Sequence, residues 1–167
     1  MSLAPNFWCA LAATLLAATF LVACDNLEQH VLIKSIDFEV DPKANNGEAF
    51  ACHLVVPYTS ELSERLKGMD SQTYFSQLPE LQKTYKDALE IFKYDLIPGK
   101  NKLNQRIEPR SRVKGRGAYL FAKYTTQGRF AESIGLAKKI VVELLPYKMV
   151  LQYNTTLKKL QKQLEKK

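Results

Sequence analysis

Apolar and polar residues alternate with a period of two over several separate stretches, and that spacing marks strands with one buried face. His30 to Asp41 (HVLIKSIDFEVD) sets Ile36, Phe38 and Val40 on one side, and Ala49 to Tyr58 (AFACHLVVPY) does the same with Phe50, Cys52, Leu54 and Val56. Between them, Pro42 to Glu48 (PKANNGE) gathers Pro, Asn, Gly and charge, which reads as a loop. The pattern then turns helical. Ser60 opens a short helix that Gly68 stops, Asp70 caps a further short turn, and Pro79 suits the first position of a helix to Leu89. On that last helix Leu78, Leu81, Tyr85 and Leu89 face the core, with Gln82, Lys83 and Lys86 outward. Period two returns at Glu90 to Ile97, where Phe92, Tyr94 and Leu96 share a face, and a turn follows at Pro98-Gly99. Leu103 to Glu108, Ala118 to Thr125, Lys139 to Leu145 and Tyr147 to Tyr153 complete six or seven strands. Short turns join most of them, so the expected fold is mainly β, an antiparallel β-sandwich with one helical insertion over about 60–88.

The first 23 residues break this pattern. No Lys, Arg, Asp or Glu precedes Cys24, and Ala10 to Ala23 is an apolar run of signal-peptide length, too short to cross a membrane as a helix. Leu21-Val22-Ala23-Cys24 at its end resembles a lipobox, the site where lipoprotein signal peptidase cuts before a lipidated cysteine. A plain signal peptide or an uncleaved anchor is the alternative, and the leader MSLAPNFW has no Lys or Arg. The expected organisation is therefore a signal peptide at 1–23, a lipidated tether at 24–30, the sandwich at 31–153 and a basic amphipathic C-terminal helix at 154–167. That tail (TLKKLQKQLEKK) carries Leu157, Leu160 and Leu164 as a narrow stripe, suited to a solvated helix or to anionic headgroups.

Composition narrows the chemistry. With 167 residues and a quarter of them charged, one ordinary core is expected. Loss of Cys9 with the leader and lipid on Cys24 would leave Cys52 alone, expected as a buried, inert thiol. His30 sits beside the tether, and His53 alternates away from the Phe50 and Leu54 face, so it is expected half-exposed on a strand. Neither histidine stands in a catalytic motif, and there is no paired Cys/His spacing, calcium loop, phosphate loop or Gly-x-Ser-x-Gly. No enzyme, metal or cofactor is indicated. Asn154-Thr155-Thr156 matches a glycosylation triplet by chance in a bacterial chain. The net charge of +7 is compatible with anions, and Arg110, Arg112, Lys114 and Arg116 fall at every second residue, on one face if that segment is extended. The stripe would bind anions, or protect an edge strand from pairing. An exported domain without interleaved aromatic residues makes nucleic acid a poor candidate.

The order of features resembles the lipoprotein of the type VI secretion membrane complex, the TssJ family. The resemblance rests on Cys24, the strand HLVVPY, the helical stretch with Tyr74-Phe75, the strand ending Leu96-Ile97-Pro98-Gly99, and Gly117-Ala118-Tyr119-Leu120-Phe121-Ala122-Lys123-Tyr124 before a turn. It spans most of 24–153 and implies a transthyretin-like β-sandwich with a helical insertion. It also implies a lipid-anchored scaffold that holds the periplasmic domain of an inner-membrane partner, TssM, without catalysis. In the family the partner meets the loop between the first two strands, which here offers Lys43, Asn45, Asn46 and Glu48. The family implies an outer-membrane anchor, whereas Asp25 after the cysteine resembles an inner-membrane retention signal of enteric bacteria. The helix after Leu157 is an addition to the family pattern. A lipoprotein that binds an anionic or lipid ligand is the alternative function.

Overall fold

The computed structural model describes residues 31–108, 111, 114–135 and 137–153. The leader, Cys24, His30, Arg110, Arg112 and the C-terminal helix lie outside the described residues.

The described chain runs β1 (Ser35–Val40), a 3-10 turn (Ala44–Gly47), β2 (Phe50–Pro57), α1 (Ser60–Lys67), α2 (Ser71–Thr84), β3 (Leu89–Leu96), β4 (Lys102–Arg106), β5 (Tyr119–Ala122), β6 (Ala131–Ser133), β7 (Lys139–Leu144) and β8 (Met149–Tyr153). The strands form two four-stranded sheets, in the orders β4-β1-β7-β8 and β3-β2-β5-β6. Their inner faces carry the expected residues: Ile36, Phe38, Val40, Phe50, Cys52, Leu54, Val56, Tyr94 and Leu96 meet Leu120, Ile140, Val142 and Leu144 in one core. Each such aliphatic side chain contributes about 1.5–3 kcal/mol through the water it sheds. Cys52 is fully buried, and burial pushes its thiol well above the usual range, as an inert core cysteine requires.

The pairing is not wholly antiparallel. β1 and β7 run parallel, Ser35 beside Lys139 through Val40 beside Leu144, while the other strand pairs are antiparallel. β6, only three residues long, brings the described strands to eight, one more than the alternation reveals.

The helical insertion is an elaborated hairpin connection. Pro57 pairs with Leu89, and Tyr58 donates its N–H to the Ala88 carbonyl at 2.8 Å, so the two ends of the insertion meet at one point on the sheet. Thr59 caps α1 through the Leu62 N–H and Asp70 caps α2 through the Thr73 N–H. Gly68 ends α1 as expected, but α2 starts at Ser71 and continues through Pro79 to Thr84. The expected helix of 79–89 is thus corrected at both ends: Asp70's cap, together with Tyr74 and Leu81 buried seven residues apart, outweighs the N–H that Pro79 lacks. Leu89 belongs instead to β3.

Helices α1 and α2 cover the outer face of the second sheet. Leu62, Leu66, Tyr74 and Leu81 pack onto Val55, Tyr119, Phe121 and Ala131. β2 and β5 are buried on both faces in consequence, which the unbroken apolar run Tyr119-Leu120-Phe121-Ala122 reflects. The outer face of the first sheet is polar, with Lys139 2.8 Å from the carboxylate of Asp37.

Candidate functional site: the loop end of the sandwich

Four connections gather at one end of the sandwich, and the loop from β1 to β2 is at their centre. Asp41 donates its N–H to the Leu144 carbonyl, and its carboxylate accepts from the Lys43 N–H at 2.7 Å. The Ala44 N–H then turns back to the Asp41 carbonyl. Asn45, Asn46 and Gly47 follow with φ of 48°, 58° and 82°, three consecutive left-handed residues. Asn and Gly are the residues that tolerate this region, so Asn-Asn-Gly dictates the turn from sequence.

Within the turn the two asparagines differ. Asn45 is 1% exposed, and its Oδ1 accepts from the Thr125 N–H at 2.6 Å and from Thr125 Oγ1 at 3.0 Å. Its Nδ2 donates to the Glu48 carbonyl at 3.1 Å. Expected as an exposed recognition group, Asn45 is instead the bolt that ties this loop to the connection between β5 and β6. Lys43, Asn46 and Glu48 stay exposed on the same turn.

The neighbouring loops are fixed in turn. Gly99, at φ 76°, donates its N–H to the Val40 carbonyl and sits against the ring of Pro42, while Asn101 Oδ1 accepts from the Val40 N–H. Tyr124 donates its hydroxyl to the Leu145 carbonyl at 2.9 Å and stacks on Phe130, ring centroids 4.0 Å apart. Lys43, Lys100, Lys123 and Lys148 stand exposed across these loops, against Asp41 and Glu48, alongside the exposed side chains of Ile97 and Tyr147. The end is basic, with scattered apolar groups on a rigid frame, a surface suited to macromolecular recognition.

The other sequence candidates lie elsewhere. His53 is 5% exposed, contrary to expectation, because α2 covers its face. Its Nδ1 shares a hydrogen bond with the Tyr74 hydroxyl at 3.0 Å, and Phe75 packs on the ring at 4.8 Å. Burial, then the charge of Lys93 and that of Lys123, lower its pKa to about 4 against the pull of Asp95. A neutral imidazole paired to a buried tyrosine is a structural group. No cluster of three His, Cys, Asp or Glu side chains suited to a metal ion occurs among the described residues.

The basic stripe is not extended where it is described. Ser111 and Lys114 are helical, and Gly115 donates its N–H to the Ser111 carbonyl at 2.8 Å. Fully buried Ser111 donates to the Glu90 carboxylate, which the Tyr58 hydroxyl also reaches. Lys114 is exposed and Arg116 half-buried, whereas Arg110 and Arg112 lie outside the described residues. A cleft of about 340 Å³ between the start of α2 and the β5–β6 connection escaped sequence reasoning, because its walls are some fifty residues apart in the chain. No described helix is long and apolar enough to cross a membrane.

Neither family models nor curated proteins match the sequence. Solved structures do match the fold. The type VI secretion lipoprotein TssJ1 from Pseudomonas aeruginosa superposes with a TM-score of 0.57 at 13% identity, over 77% of this chain and 99% of that one. Lip from Serratia marcescens, a membrane-bound component of the type VI secretion system, gives 0.51 at 11% identity, over 73% and 96%. A chain of a type VI membrane complex gives 0.53 at 12% identity, over 72% and 98%. The β-sandwich with its helical insertion is thus a fold this chain shares with solved structures from type VI secretion systems.

Proposed function

We propose that this chain is a lipid-anchored periplasmic scaffold of a bacterial type VI secretion membrane complex. Lipid on Cys24 holds it to the membrane, and the exposed part of the 3-10 turn binds the periplasmic domain of an inner-membrane partner of the TssM kind. The observation that carries this is the coincidence of two features: a fold shared over nearly the whole length of type VI secretion proteins, a lipoprotein among them, and a first loop pre-organised by Asn45. Pre-organisation matters because a loop already fixed in its bound shape loses less entropy on association. Lys43, Asn46 and Glu48 supply the contacts, and Asn45 holds them in place without touching the partner.

The function is mechanical and involves no reaction. Lipid anchoring takes the leader and Cys24 as the sequence presents them, and the outer membrane is the proposed site, from which the link to an inner-membrane protein would span the periplasm. Affinity capture from membranes of the lipidated chain, followed by mass spectrometry, tests this. Wild type should recover a large inner-membrane secretion protein, and the combined variant Lys43→Glu, Asn46→Gly, Glu48→Lys should lose most of it. Recovery that ignores the loop variant removes the assigned site, and absence of such a protein from the wild-type capture removes the function.

A further inference from the structure

The cleft beside the 3-10 turn has a consistent chemistry. Its lining includes the rings of Phe75, Tyr124 and Phe130, the ammonium group of Lys123, and the amides of Gln72 and Gln127, with no carboxylate. The Ser71 hydroxyl in its floor is already committed, donating to the Ala122 carbonyl at 2.6 Å. Thr126 Oγ1 is buried and has no hydrogen-bond partner. Lys123 Nζ stands 5.8 Å from the centroid of the Phe75 ring, with no ion pair to any described carboxylate. Phe130, in the opposite wall, is held at φ 26°, a region bulky residues rarely adopt and one that accumulates at binding sites.

The cleft is continuous with the turn. Thr125, which lines it, is the residue that Asn45 ties down, so the exposed turn and the cleft share one rigid wall. Its volume is at the low end for small-molecule sites, and it opens to solvent along the loops. A cationic rim and aromatic walls together match an apolar side chain with a carboxylate beside it.

From this arrangement we infer that the cleft is a second docking point for the protein partner bound by the turn, and that it receives a partner segment in which an apolar residue adjoins Asp or Glu. The inference rests on the scaffold function proposed above and extends its interface. The apolar residue lies between Phe75 and the Tyr124–Phe130 pair, and the carboxylate faces Lys123.

Photo-crosslinking of the full, lipidated chain in its own cells tests it, with the reactive residue placed at Gln127 in the cleft, at Asn46 on the turn, or at Glu61, exposed on α1. Gln127 and Asn46 should label the same protein. The Gln127 adduct should map to a segment pairing an apolar residue with Asp or Glu, and Glu61 should not label that protein. Lys123→Glu should lower the Gln127 yield about tenfold while the thermal melt of the domain stays in place, since Lys123 is exposed. Labelling from Asn46 but not from Gln127, or a Gln127 adduct carrying only lipid or a small molecule, overturns the cleft assignment and leaves the scaffold function standing. Labelling of no protein from either position overturns both. An unchanged Gln127 yield in Lys123→Glu overturns the acidic character assigned to the segment.

Discussion

Replacing Asn45 separates the two physical reasons for the shape of the 3-10 turn. Asn45→Ala removes two accepted hydrogen bonds and one donated bond, and it places a Cβ-bearing residue without local hydrogen bonding at φ 48°. Each bond is worth about 0.5–1.5 kcal/mol net. Left-handed backbone costs an alanine about 1–2 kcal/mol more. The sum is about 4.5 kcal/mol, with a range of about 2.5–6.5, a large share of the roughly 5–15 kcal/mol that holds a domain together. Asn45→Gly loses the same three bonds and gains the greater freedom of an unfolded glycine, but it accepts the left-handed backbone, so it should cost about 3.5 kcal/mol. Urea unfolding followed by circular dichroism should show midpoints falling in the order wild type, glycine, alanine, with the alanine variant lower by about 2 M. The Thr125 amide, which donates to Asn45, should exchange faster with solvent in both variants. An alanine variant within about 0.5 kcal/mol of wild type, or a glycine variant less stable than alanine, would refute the assignment of Asn45 as the tether of the loop.

Three further perturbations follow from single contacts. Tyr94 is buried in the core with its hydroxyl unpaired, so Tyr94→Phe should raise stability by about 1 kcal/mol in the same unfolding assay; a loss of that size would show a hidden partner. A Cβ on Gly115 would lie 2.6 Å from the Ser111 carbonyl and from a Val31 methyl, so Gly115→Ala should cost about 1–3 kcal/mol, and a neutral result would mean that this segment is loosely packed. His53 titrates near 4 when folded and near 6.5 when unfolded, so the unfolded state binds the extra proton between those values. Stability from this group is complete above pH 6.5 and declines as pH falls toward 4, by an amount on the order of 3 kcal/mol. Urea midpoints of wild type and His53→Gln should therefore converge as pH drops from 7.5 to 4.5; a constant gap contradicts the depressed imidazole.

Much of the sandwich was legible because its inner faces obey period two: Ile36, Phe38 and Val40, then Phe50, Cys52, Leu54 and Val56, all point into one core. Asn-Asn-Gly likewise announced its turn. What escaped depends on contacts between distant segments. The parallel pairing of β1 with β7 joins residues over a hundred positions apart and leaves no local trace. His53 reads as half-exposed until α2 covers it, and the same cover explains why Tyr119 to Ala122 is apolar throughout. β6 is too short for any period to register. Asn45 looks as polar and exposed as Asn46 until Thr125 meets it from another loop. The cations from Arg110 to Arg116 share a face only if the segment is extended, whereas its described residues Ser111 and Lys114 are helical.

The most direct test of the central claim is calorimetric titration of the lipidated chain, in nanodiscs, with the periplasmic domain of the TssM-type protein from the same cells. The scaffold function predicts saturable binding with a dissociation constant of micromolar or tighter, roughly −8 kcal/mol or more. It also predicts affinity at least about tenfold weaker when Lys43, Asn46 and Glu48 are changed together, with the fold intact. Absence of binding at about 100 μM would contradict it.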